Sequence, residues 1–117
     1  MYKFFKITAS VLFWFIGFNT PSFSIEEKIK IGLLIPLTGE NKEIGNQIIK
    51  STKIALQDID AKKIEIYPKD TNSNPDQTIK SVKELQKIGI KIVIGPVFHK
   101  SLNYLNEIDD ITFVSLT

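Results

Sequence analysis

Few residues in this chain could carry reaction chemistry. His99 is the only histidine and there is no cysteine, which excludes a thiolate nucleophile, a disulfide framework and a Cys-ligated zinc site. A general base needs an orienting carboxylate and a nucleophile within reach. Asp109 and Asp110 are distant from His99 in sequence, and no G-x-S-x-G elbow is present. Nucleotide fingerprints are also missing. Gly39 and Gly45 are six apart, outside the G-x-G-x-x-G spacing, and Asn46 follows where a phosphate loop requires Lys. The run Asp70-x-Asn72-x-Asn74-x-Asp76 imitates the start of a calcium loop. Its sixth position is Pro75 instead of Gly, and its twelfth is Ser81 instead of a bidentate Glu. The expectation is a chain without catalytic residues, metal or cofactor.

What remains is a set of hydroxyls, backbone amides and one ring in the loops that follow apolar runs. Thr38 and Gly39 follow the first run; Phe98, His99 and Ser101 follow the third; Ser115 follows the fourth. Taken singly, Thr38 and Ser101 would serve as turn or helix caps. Taken together, these loops suit a small polar or zwitterionic ligand.

The elements that would position them are legible from periodicity. Ile29, Ile31, Leu33, Leu34 and Ile35 form an apolar run dense enough for a strand buried on both faces. Residues 43–60 carry Ile44, Ile48, Ile49, Ala55, Leu56 and Ile59 at helical spacing, with polar residues between them. Ile64, Ile66 and Tyr67 form a second strand, and residues 70–75 are a loop by composition. A second helix starts with Asn74 as N-cap and Pro75 at the first position; Ile79, Val82, Leu85 and Ile88 form its apolar stripe, and Gly89 stops it. Ile90, Ile92, Val93 and Ile94 make a third strand, ended by Gly95-Pro96. A short helix over Leu102, Leu105 and Ile108 leads to a fourth strand at residues 111–114.

This alternation predicts an α/β fold with βαβ units on a doubly wound parallel sheet. Strand order 2-1-3-4 is the natural arrangement, and 3-2-1-4 is the alternative that spacing leaves open. With order 2-1-3-4, the ligand crevice falls beyond the carboxyl ends of the first and third strands. Residues 36–41 and 96–101 would line it, with the tip of the fourth strand beside them.

Residues 1–24 read as a secretory signal: Lys3 and Lys6, then an apolar segment over residues 7–18, then the small-x-small Ser22-Phe23-Ser24. The apolar segment is shorter than the roughly 20 residues of a membrane-spanning helix. With no Cys after the small residues, a lipid anchor is excluded, and the membrane is met only through the signal before cleavage. The expected location is the periplasm. All 15 basic residues are Lys; removal of two with the signal leaves 13 against 13 acidic residues. That neutral balance excludes a nucleic-acid surface, which needs a basic excess gathered on one face. The mature segment, residues 25–117, ends on an apolar strand with nothing after it to cover the sheet, so a fragment of a longer protein is expected.

The sequence Ile31-Gly32-Leu33-Leu34-Ile35-Pro36-Leu37-Thr38-Gly39, then Gly45, then Ala55-Leu56-Gln57-Asp58-Ile59, resembles the opening of type I periplasmic binding proteins. These are the leucine/isoleucine/valine-binding transport receptors. The likeness runs on through Asp70-Thr71, Pro75, Lys83-Glu84-Leu85 and Gly89 to Ile94-Gly95-Pro96. It implies two α/β lobes closing on a ligand, with this chain as part of the first lobe. It also implies a solute-binding component of an ABC importer, partnered by an ABC permease and an amino-acid-like solute. In that family a Ser commonly stands in the loop after the third strand; here that position holds His99, with Ser101 two residues later. The fourth-strand Thr of the family would lie just past Thr117. Leu34-Ile35-Pro36-Leu37-Thr38-Gly39, Asp70-Thr71 and Ile94-Gly95-Pro96-Val97-Phe98 are similar, too, to the domain of penicillin-binding protein activators. That likeness implies a regulator acting on a peptidoglycan synthase by contact. The expected ligand residues are Thr38, Gly39, Phe98, His99, Ser101 and Ser115.

Overall fold

The computed structural model describes Ser22 and residues 24–116. The expected export signal falls almost wholly outside these residues, as does Thr117. Four parallel strands form one sheet: β1 (Ile29–Ile35), β2 (Ile64–Asp70), β3 (Ile92–Ile94) and β4 (Thr112–Val114). Their order is β2-β1-β3-β4. The helices are α1 (Lys42–Asp58), α2 (Pro75–Lys87) and the single turn α3 (His99–Leu102). The doubly wound order expected from the alternating pattern is the one observed.

β1 is an inner strand of the sheet and is apolar on both faces along its second half. Leu33, Leu34 and Ile35 are all buried, and each such burial contributes about 1.5–3 kcal/mol. β2 runs in register beside it from Ile29 opposite Ile64 to Ile35 opposite Asp70. On the other side Ile31, Gly32 and Leu33 pair with Ile92, Val93 and Ile94. β2 extends three residues beyond the apolar run that announces it, through Pro68 to Asp70. A proline is tolerated there because β2 is the sheet edge, where one side of the strand needs no ladder donor.

One face of the sheet holds the main core: Leu34, Val82, Leu85, Ile90, Val93 and Leu105, with Tyr67, Ile79 and Phe113 packed against it. α2 supplies its centre through Val82 and Leu85 of the expected stripe, with Ile79 packed beside them. Thr78 and Ser81 are buried with Val82 and Leu85, while Ile88 is exposed. The two hydroxyls allow close approach because both are satisfied: Thr78 Oγ1 donates to the Asn74 carbonyl at 2.8 Å and Ser81 Oγ to the Asp70 carbonyl at 2.6 Å. The helix start is as the sequence indicates, with Asn74 Oδ1 accepting from the amides of Asp76 and Gln77. The third helix differs. It covers only His99–Leu102, and Leu105 reaches the core from the turns that follow.

α1 packs on the opposite face and far less deeply. Gly45 is its only fully buried residue, and Ile44, Ile54 and Ile59 are exposed. Gly45 is where α1 touches the sheet end. A Cβ there would overlap the Pro36 carbonyl oxygen, part of the backbone. Replacing a helix-interior glycine by alanine ordinarily stabilises by about 0.5–1 kcal/mol. Here the sign should invert: Gly45→Ala is expected to lower stability by about 1–3 kcal/mol, the cost of overpacking. Urea denaturation checks this, and a raised midpoint would show that α1 does not sit this close to Pro36.

Candidate functional site

The chain leaves β1 toward α1 on one face and leaves β3 toward α3 on the other. Because β1 and β3 are adjacent and parallel, their following loops diverge and open a crevice at the carboxyl ends of the strands. This is the switch point at which open α/β sheets receive ligands. β4 pairs with β3 in parallel, so its tip reaches the same end.

Five of the expected residues stand at this end and reach the surface. Thr38 and Gly39 lie in the β1–α1 loop and are exposed; Phe98 is half-buried and His99 exposed at the start of α3; Ser115 is exposed just past β4. Ser101 is different. It is 2% exposed, and its Oγ lies 3.3 Å from Thr78 Oγ1, tying α3 to α2; because the Thr78 proton goes to the Asn74 carbonyl, Ser101 is the donor of this bond.

The residue that organises the crevice is one the spacing argument passed over as loop polarity: Asp70, the last residue of β2. Its Oδ1 accepts from the amides of Leu37 at 2.8 Å, Thr38 at 3.2 Å and Asn72 at 2.8 Å. Its Oδ2 accepts from Thr38 Oγ1 at 2.5 Å. The signal available in sequence was an acid at the end of an apolar run that must pair with β1. What hid it was register: only the pairing of Ile35 with Asp70 brings that carboxylate to the β1–α1 loop, 32 residues away in sequence.

The surrounding loop reinforces this clamp. Asn41 Nδ2 donates to Ser73 Oγ at 3.0 Å, and the Thr71 amide donates to the Ile35 carbonyl at 2.9 Å. Asn72 and Ser73 both adopt positive φ, at 46° and 52°, which swings the β2–α2 loop over the β1–α1 loop. Gly39, at φ 79°, accepts the Asn72 carboxamide where any Cβ would collide with it. The side chains of Asp70 and Asn74, which in sequence imitate calcium ligands, are engaged with backbone amides instead. Among the described residues, no group of three acidic or His side chains could hold a metal ion. No described helix is long and apolar enough to cross a membrane.

The four parallel strands in this order, with helices on both faces, define a partial α/β lobe. The profile of the periplasmic binding protein family matches residues 28–115, and the chain belongs to that family. Among solved structures it is similar to a solute-binding protein of an ABC transporter from Rhodopseudomonas palustris in complex with 3,4-dihydroxybenzoic acid. That comparison has a TM-score of 0.68 at 23% identity, covering 75% of this chain and 26% of the other. It is similar also to the C-domain of LpoA from Haemophilus influenzae, a regulator of PBP1A, with TM-score 0.60 and 26% identity over 74% of this chain and 27% of that one. A type 1 periplasmic binding protein from Bordetella pertussis gives TM-score 0.58 and 29% identity over 68% of this chain and 23% of its own. The chain thus spans about a quarter of the length of each of these structures. Comparison of the sequence with curated proteins finds no match.

Partial burial alone would raise the Asp70 carboxyl. The bonds from the Thr38 hydroxyl and from the amides of Asn72, Leu37 and Thr38 outweigh it and hold Asp70 below the usual carboxylate range. With the folded-state value the lower one, Asp70 contributes its full stabilisation above the ordinary Asp range. The contribution is lost as pH falls through the folded value. Asp70→Asn is therefore expected to be less stable than the parent at neutral pH, with the gap closing in strong acid. Urea unfolding of both proteins across that range is the measurement; a gap independent of pH would remove ionised Asp70 from the account.

Proposed function

We propose that this chain forms the ligand-facing part of one lobe of an exported solute-binding protein that serves an ABC importer. Residues 1–24 act as its export signal. The ligand is small and amino-acid-like, and it sits between this lobe and a second one. The observation that carries this reading is the parallel pairing of β1 with β3, whose diverging loops present polar groups and a half-buried ring at one end of the sheet. Thr38, Gly39, Phe98, His99 and Ser115 contact the ligand, and Ser101 acts at one remove by anchoring α3 to Thr78. The second lobe supplies the remaining contacts and excludes water on closure.

A second reading is favoured by one specific observation. The Thr38 and Ser101 hydroxyls are engaged inside the protein, on Asp70 and Thr78. A surface whose hydroxyls serve its own architecture suits recognition of a protein, and the likeness to LpoA, a regulator of PBP1A, points the same way. In that case the chain acts on a peptidoglycan synthase by contact.

Titration calorimetry of the full-length protein with leucine and with benzoate, alongside pull-down with a purified peptidoglycan synthase, separates the two. Solute capture predicts one-site binding, weakened about tenfold by Phe98→Ala, the loss of an aromatic contact of roughly 1.5 kcal/mol. A specific synthase complex with no heat from any solute would replace this reading by the second.

A further inference from the structure

Every hydrogen bond made by the Asp70 carboxylate comes from a donor: the amides of Leu37, Thr38 and Asn72, and the hydroxyl of Thr38. An ionised carboxylate has no proton to give, and a threonine hydroxyl has only one. The Thr38 proton is therefore committed to Asp70 Oδ2, across 2.5 Å. What Thr38 Oγ1 retains for anything else is lone-pair capacity. Thr38 is exposed at the crevice, so this capacity faces a site rather than the core.

The nearby side chains on the loop have the same polarity. Asn41 commits one N–H of its carboxamide to Ser73 Oγ. Gly39 has no side chain, and its space is filled by the Asn72 carboxamide oxygen. Glu40, exposed beside them, adds a second carboxylate. The nearest basic residue in sequence, Lys42, already belongs to the first turn of α1. Against the side chains of Thr38, Glu40 and Asp70 a ligand group rich in lone pairs, such as a carboxylate, meets acceptors and two carboxylates. An ammonium, or an N–H or O–H donor, finds a partner there and is favoured by the nearby charge.

We propose that Asp70 sets the polarity of this half of the crevice: by taking the Thr38 proton it makes Thr38 an acceptor, so that the ligand's donor end, the ammonium of an amino-acid-like solute, seats against the β1–α1 loop. The proposal rests on the solute-binding reading above and assigns the orientation of the solute within it. Asp70 acts through Thr38 and is a positioning residue; Thr38 is the contact.

The test is calorimetry on the full-length protein with two pairs of probes. Leucine is compared with 4-methylpentanoate, which lacks the ammonium, and benzylamine with benzoate. The amine-bearing member of a pair should bind the parent protein about tenfold or more tightly, as expected for a charge-assisted bond. Thr38→Val, which removes the acceptor and leaves the Leu37 and Thr38 amides on Asp70, should shrink that ratio about tenfold, the same bond lost. Thr38→Ser should preserve it. Asp70→Asn should also shrink it, because the carboxamide can donate to Thr38 and turn its hydroxyl proton outward. Should Asp70→Asn fail to fold by circular dichroism, Thr38→Val and Thr38→Ser decide. A ratio unchanged in Thr38→Val, or a preference for the carboxylate-only probes, overturns the proposal while leaving the solute reading intact. If none of the four probes binds the parent protein, the solute reading fails and this orientation falls with it.

Discussion

The structure depends on a strand that has no solvent side. β1 buries Leu33 and Ile35 toward one face and Leu34 toward the other, so it is stable only with strands on both flanks and helices above and below. That requirement forces the chain to leave β1 in one direction and return across it in the other, by way of α1 and α2 on opposite faces. The reversal of connection at β1 is what opens a crevice at the strand ends. The crevice is thus a by-product of how a doubly buried strand must be covered.

A crevice made by diverging loops needs something to hold the loops still. The Asp70 carboxylate provides this at the β1–α1 loop through four donors from two loops. Its bonds replace water at backbone amides that no helix or strand satisfies, which is why losing them costs more than their number suggests. On the other wall the device is apolar and hydroxylic: Ser101 and Leu105 are buried against α2, with the Thr78 hydroxyl bridging to Ser101. One wall is set by a charge and the other by packing. This asymmetry gives the two walls of the crevice different chemistry.

The two faces of the sheet are unequally finished. The α2 face has a continuous core, whereas on the α1 face Ile92 and Val114 remain 38% and 49% exposed. Between α1 and the β1–β2 part of that face lies a shallow apolar groove of about 130 Å³, lined by Leu33, Ile49, Leu56 and Ile66. The stability of this region therefore relies on backbone contact at Gly45 and Pro36 more than on interdigitated side chains.

Much of the fold was legible in the sequence because it follows from local rules. The dense run ending in Leu33-Leu34-Ile35 announces a strand buried on both sides, and Asn74-Pro75 announces the start of α2 by capping chemistry that needs only neighbouring residues. Strand order and the common end at which Thr38, Phe98, His99 and Ser115 emerge followed from the same alternation. What periodicity misjudged were places where a tertiary partner chooses. Ser81 is buried because its hydroxyl has the Asp70 carbonyl to bond, Ile88 stays exposed as the C-cap residue past the end of α2, and the stretch around Leu105 needed no helix to bury its leucine. Asp70 and Ser101 changed roles for the same reason. Residue type and spacing mark a group as able to donate or accept, but only register and packing decide which group, across 32 residues of chain or 23, stands opposite to receive the bond.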